Sequence, residues 1–239
     1  MTATFRRAAD FDRRTDMIEA TLDCIADNGI QAASVRAVAA RAGVSNGLIR
    51  HHFASKGNLI SAAYRRSIEM FMEPFHTILD RADLTAPERL AHFVAVTLGP
   101  AATDPRRLSL WASFVSQVHL DPDLAHEHRE GYHATRATLA GMIEEIRRQA
   151  GRPVGAEECR RLAIAVNAIL DGLWVEGCLS PDEIDEATRI EIGLQSIEAV
   201  LGLRLPRLPA AGPPGVRPPG AKPASRDPAT QDPAPDEKA

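Results

Sequence analysis

The chain has 239 residues, 44% of them apolar, 25% charged and 5% aromatic, which fits a globular protein of one large domain or two small ones. No run reaches the ~18 apolar residues of a membrane helix, the N-terminal Arg6, Arg7, Asp10 and Asp12 lack a signal peptide's apolar run, and Cys24, Cys159 and Cys178 form neither a disulfide framework nor a zinc ribbon. A cytoplasmic location is therefore expected, with each cysteine a small buried hydrophobe, and the net charge of −4 argues against a nucleic-acid partner until it is resolved along the chain.

Helical punctuation recurs from end to end and strand signals are nearly absent. A first helix is expected from Asp10 to Asn28, stopped by Gly29, and a short second one from the Ser34 cap to Ala42, broken at Gly43. Ser45 caps a third, Asn46 to His52, and Ser55 a long fourth, Lys56 to Asp80. Thr85-Ala-Pro87-Glu88 opens a fifth to Leu98; Asp104-Pro105 opens a sixth to Leu120, and Asp121-Pro122 a seventh to Gly151. The eighth, Ala156 to Leu179, and the ninth, Asp185 to Leu201, carry apolar stripes at helical spacing. Residues Pro206 to Ala239 hold ten of the 17 prolines and no aromatic residue, the composition of a disordered tail. The expected fold is all-α with nine helices, arranged as residues 1–60, residues 61–205 and the tail 206–239.

Between Asp27 and Glu69 there is no acidic residue, while Arg36, Arg41, Arg50, Lys56, Arg65 and Arg66 give that stretch a charge of +6. A phosphate backbone meets this local field and not the global sum. Within it the second and third helices are joined by Ala42-Gly43-Val44-Ser45, and Val38, Ala39, Ala42, Val44, Ile49 and Phe53 can share a small core. That arrangement is a helix-turn-helix. Turning Ile49 and Phe53 inward leaves Asn46, Gly47, Arg50 and His51 outward with Leu48 beside them. Arg50 and Asn46 are types that pair with guanine and adenine edges, and Leu48 suits a thymine methyl. Ser45, the helix N-terminus and Lys56 suit phosphates. Ser34, Arg36 and His52 complete the expected DNA-facing set.

The run from Ser34 to Ile60, Ser-Val-Arg-Ala-Val-Ala-Ala-Arg-Ala-Gly-Val-Ser-Asn-Gly-Leu-Ile-Arg-His-His-Phe-Ala-Ser-Lys-Gly-Asn-Leu-Ile, resembles the DNA-binding region of TetR-family repressors. Arg50 and His52 stand where that family often carries tyrosine, so its operators do not transfer. Further along, Leu110-Trp111, His119-Leu-Asp-Pro122, Leu170-Asp-Gly-Leu-Trp174 and Leu179-Ser180 resemble the regulatory domain of the BetI-type branch, named for repressors of choline-to-betaine genes. The resemblance implies a repressor without a cofactor or catalytic role, double-stranded operator DNA as partner, a small-molecule effector such as choline or betaine aldehyde, a pocket among helices four to eight, and a homodimer built from the last two helices.

For the pocket the candidates are Phe93, Trp111, Phe114, Tyr132 and Trp174, with Asn167 and Asp171 as polar groups; aromatics around a carboxylate can cage a quaternary ammonium. For the dimer they are Leu162, Val166, Ile169, Leu170 and Leu173 of the eighth helix and Ile190, Leu194, Ile197 and Leu201 of the ninth, forming an isologous four-helix contact. A rival reading makes the chain a small helical enzyme or metal protein using the histidines from His119 to His133, with His126, Glu130 and His133 on one helix face. Another makes it an architectural DNA binder without a ligand. No P-loop, HExxH or GxSxG supports catalysis.

Overall fold

Side-chain caps set the helix starts. In this computed structural model, which describes residues 2–79, 81 and 83–208, the helices among the described residues are α1 (Thr2–Asn28), α2 (Val35–Ala42), α3 (Asn46–Phe53), α4 (Lys56–Leu79), α5 (Ala86–Leu98), α6 (Pro105–Val118), α7 (Pro122–Gln149), α8 (Ala156–Leu179) and α9 (Glu186–Leu201). No strand occurs among the described residues. Ser34, Ser45, Thr85, Asp104, Asp121 and Asp185 each accept a first-turn amide hydrogen bond, and Thr85 with Glu88 closes a full capping box. Gly43 and Gly202 end α2 and α9 in the left-handed conformation, with φ of 65° and 62°.

The expected boundaries hold to within a residue or two except at the start, where α1 opens at Thr2 and not at Asp10. At the other end, the described residues pass the expected start of the tail. Arg207 of Pro206–Leu208 is tied to α9, and residues 209–239 lie outside the described residues. By length and composition α8 could cross a membrane, although charged residues interrupt its apolar run; a third of its apolar window is buried in this fold.

One apolar cluster joins α1 (Met17, Leu22, Ile25), α2 (Val38, Ala39), α3 (Ile49, Phe53) and the start of α4 (Leu59, Ile60, Ala63), and reaches Leu110 and Phe114 of α6 and Leu124 of α7. The remaining helices pack around α7, α8 and α5. α9 approaches α5 at Gly193, where a Cβ would fall 2.7 Å from Leu98 Cδ1. Beside it, the buried Arg189 donates to the carbonyls of Leu98 (2.9 Å) and Ile184 (3.2 Å), neutralising the C-terminal end of α5. Gly177 leaves room for that guanidinium.

The expected dimer stripe is divided by this packing. Val166, Leu170, Leu194, Ile197 and Leu201 are buried in the protomer's own core, so they are not interface residues on an isolated chain's surface. Leu162, Ile169, Leu173 and Ile190 are half-buried. The periodicity of each helix marked its inward face; the outward apolar positions are Ile164 (48% exposed) with Ala168 and Gly172 on α8, and Ile192 and Val200 on α9.

The chain end is locked by Glu198, a buried carboxylate that accepts from Arg207 Nη1 (2.8 Å) and the Leu205 amide (2.7 Å), with Arg204 at 3.3 Å. The Arg207 guanidinium, opposed by burial, holds its pKa down to about 2 from 4.5. An acid whose folded value lies below its unfolded one stabilises the fold above the unfolded value, and that stability is lost as pH falls toward the folded value. Glu198→Gln is expected to cost about 1–3 kcal/mol at pH 7, with the gap to the unaltered protein narrowing between pH 4.5 and about 2. Urea unfolding at pH 7 and near pH 3 checks this; an equal gap at both would refute the assignment.

Candidate nucleic-acid interface and effector cavity

The N-terminal face is built by two caps and one turn. Ser34 Oγ accepts from the Ala37 amide and Ser45 Oγ from the Leu48 amide, each at 3.2 Å, so both short helices start where the sequence places them. Val38, Ala39, Ile49 and Phe53 are buried between them, and Ala42 and Val44 pack against that core. Arg14 of α1 lies 5.1 Å over the Phe53 ring and fixes α1 against the end of α3. Outside, Ser34, Arg36, Ser45, Asn46, Gly47, Arg50, His51 and Lys56 are exposed; Leu48 and His52 are half-buried.

The +6 stretch is partly neutralised in space. Arg41 pairs with Asp27 (2.7 Å) and Asp23 (3.6 Å), Arg66 with Glu19 (3.0 Å) and Glu69 (3.6 Å), and Arg65 with Glu127. Arg36, Arg50 and Lys56 make no ion pair with a described residue, and all three stand on the outward face. The acid-free run thus separates into cations that brace the head and cations that project from it.

The second feature is an apolar cavity of about 200 Å³ between α4, α5, α6, α7 and α8. Six of the seven expected pocket residues line it: Phe93, Trp111, Tyr132, Asn167, Asp171 and Trp174. Phe114 does not. It is fully buried in the N-terminal cluster and stacks on Tyr64 (centroids 4.5 Å apart), whose ring does line the cavity. Aromatic edges close the walls: Phe75 on Phe93 (4.3 Å), Trp111 on Trp174 (5.6 Å) and Phe71 on Trp174 (5.8 Å). Trp174 Nε1 donates to the Ala102 carbonyl at 2.7 Å, which fixes the indole.

Sequence reading missed the α4 wall of Tyr64, Ile68, Phe71 and Phe75, and also Arg107. The α4 residues recur at helical spacing, so the same pattern that marked α8 could have found them.

Asp171 is the acidic group in this lining. Its Oδ2 accepts from Asn167 Nδ2 (2.7 Å) and Tyr132 Oη (3.4 Å), and no Lys or Arg among the described residues forms an ion pair with it. Burial pushes its pKa up, against the two hydrogen bonds and the field of Arg136, which pull it down. Next to the cavity, Tyr64 Oη and His128 Nδ1 are 2.7 Å apart, and burial lowers the His128 pKa, favouring the neutral imidazole.

The histidine reading fails on geometry. His119, His126, Glu130 and His133 are exposed, His128 is taken by Tyr64, and no three His, Cys, Asp or Glu among the described residues are grouped to hold a metal.

Comparison with known proteins finds two family profiles that match successive parts of the chain. Residues 17–63 match the family profile for bacterial regulatory proteins of the tetR family, and residues 86–202 match that for the C-terminal part of BetI-type transcriptional repressors. The HTH-type transcriptional regulator BetI of Pseudomonas fluorescens is 30% identical over 192 residues, covering 79% of this chain and 93% of that protein. BetI of Paraburkholderia phytofirmans is 27% identical, covering 80% and 95%. A crystal structure from Pseudomonas aeruginosa PAO1, described as a transcriptional regulator, is 31% identical with a TM-score of 0.74, covering 80% and 91%. One from Saccharomonospora viridis, solved in complex with choline, is 23% identical with a TM-score of 0.65, covering 78% and 96%, a likeness of fold. Two matches that follow one another along the chain, and a relative matched over nearly its whole length, leave one conclusion: this chain belongs to the TetR family, in its BetI-type branch, and is a DNA-binding transcriptional regulator rather than an enzyme.

Proposed function

We propose that the protein is a homodimeric repressor that a small quaternary ammonium compound of the choline class releases from a palindromic operator. The observation that carries the effector's chemistry is Asp171: a carboxylate within an aromatic cavity, without a cationic partner among the described residues. A half-buried anion left that way costs free energy that a bound cation recovers, and aromatic faces attract a cation too large and too weakly hydrated to need water.

The reading head, residues 1–60, sets α3 into the major groove. Arg50 and Asn46 read base edges, Leu48 meets a thymine methyl, and Arg36, His51, His52 and Lys56 lie toward the backbone with the Ser34 and Ser45 caps. The regulatory part, residues 61–205, dimerises through the outward face of α8 and α9. There Ile164, Ile192 and Val200 are exposed, and Ala168 and Gly172 allow a second copy close approach. A two-fold axis through that face repeats α3 on successive major grooves, about 34–36 Å apart.

Two contacts support coupling between cavity and head. Tyr64 lines the cavity on one side and stacks on Phe114 of the head's core on the other. Asp23 of α1 accepts Arg106 of α6 at 2.6 Å and Arg41 of α2 at 3.6 Å, so one carboxylate spans the effector half and the helix-turn-helix. A ligand that shifts α6 or α4 therefore changes which spacing of the heads is populated.

On DNA flanking the protein's own gene at fixed salt, Arg50→Ala is expected to lower discrimination by about 1–3 kcal/mol at one base position, and Lys56→Ala to weaken specific and random DNA alike, reducing the salt slope by about one. Equal losses for Arg50→Ala on both kinds of DNA would remove its base-reading role. Millimolar choline is expected to release the protected operator from the unaltered protein but not from Asp171→Asn. The same variant is expected to raise the apo Tm, because an acid whose folded pKa is raised destabilises the fold at pH values above it. Choline release of Asp171→Asn at the unaltered concentration would discard the cation site.

A further inference from the structure

The cavity holds a second charge of opposite sign. Arg107, near the start of α6, lines the same space as Asp171 and is half-buried there. Its guanidinium lies 5.3 Å over the Phe71 ring, and it makes no ion pair with a described residue. Other arginines of this half have carboxylate partners: Arg106 has Asp23 at 2.6 Å and Arg89 has Glu145 at 2.7 Å. A guanidinium offers five donors in a rigid fork that fits a carboxylate or phosphate bidentately. Stacking on Phe71 satisfies its face and leaves that fork for an anion.

A plain quaternary alcohol answers only one of these charges. It would meet the aromatic walls and Asp171, and it would place a cation in the same small cavity as Arg107. A ligand with both signs neutralises both ends. We propose that the effector is a zwitterion, with a quaternary ammonium held by Asp171 and the aromatic walls and an anionic oxygen group held by Arg107. The proposal rests on the cation reading above and names the other end of the same ligand. Carboxylate and phosphate share the required chemistry, and the choice between them is read from the probes.

A second guanidinium lies nearby. Arg136 is 5.3 Å from the Tyr132 ring centroid, and its buried Nε has no hydrogen-bond partner. It lines an adjoining groove with Arg129 and His133 and not the main cavity, which makes it the control for Arg107.

The test is calorimetric titration of the full chain with choline, phosphocholine, and trimethylammonium carboxylates of increasing chain length between the two charges. At least one zwitterion is expected to bind about tenfold or more tighter than choline. Arg107→Leu should remove that gain without weakening choline, Arg107→Lys should keep part of it, and Arg136→Leu should keep most of it. If Arg107→Leu does not fold, Arg107→Gln carries the same comparison. Choline binding as tightly as every zwitterion, or a gain that survives loss of Arg107, overturns the proposal and leaves the cation reading standing. Binding of neither choline nor any zwitterion overturns both.

Discussion

The stack of Tyr64 on Phe114 is the contact on which the two halves of this molecule depend. One ring belongs to the wall of the cavity, the other to the core that holds the helix-turn-helix. Both are on long helices, α4 and α6, that continue from one region into the other. Packed aromatic rings in a close-packed interior do not deform smoothly; they keep one arrangement or exchange it for another. In the proposed mechanism, a ligand pressing on Tyr64 or on Trp111 of α6 acts on the head through these helices. The Asp23 carboxylate, shared between Arg106 and Arg41, ties the same two regions by charge.

The cavity and the chain end treat their carboxylates in opposite ways. Glu198 is surrounded by Arg207, Arg204 and an amide, and its pKa falls to about 2. Asp171 has an amide side chain and a phenol but no ion pair with a described residue, and burial raises its pKa against the field of Arg136. The first arrangement fastens the last of the described residues to α9. The second leaves a carboxylate whose burial favours its neutral form. Sites that must respond to a ligand are commonly the places where local consistency is given up.

Most of the fold could be read from the amino acids because each helix announces its start with a cap and its core face with a period. Ser34, Ser45, Ser55, Thr85, Asp104, Asp121 and Asp185 were sufficient to place seven of the nine helix starts among the described residues. The outward set around Arg50 followed from turning Ile49 and Phe53 inward. What periodicity could not tell was which partner an apolar face meets. Leu170 and Ile197 mark the inward faces of α8 and α9, and the stripe looks the same whether it packs on its own chain or on a copy. Phe114 and Tyr64 exchanged places for a related reason: composition identifies aromatics, but only packing decides which of two stacked rings faces the cavity. Arg41, Arg65 and Arg66 gave a false impression of the head's field, because their acidic partners Asp27, Glu127, Glu19 and Glu69 lie outside the acid-free run.

The central claim is that a cation in the aromatic cavity changes the spacing of the two reading heads. Pulsed electron–electron spectroscopy reads that spacing directly, with spin labels at His51→Cys on α3 in a Cys178→Ser background that removes the half-buried thiol. Without ligand, the distribution is expected to centre near the ~35 Å that successive major grooves require, and saturating choline is expected to move it by several ångströms. An unchanged distribution, with calorimetry showing choline bound, would contradict the account.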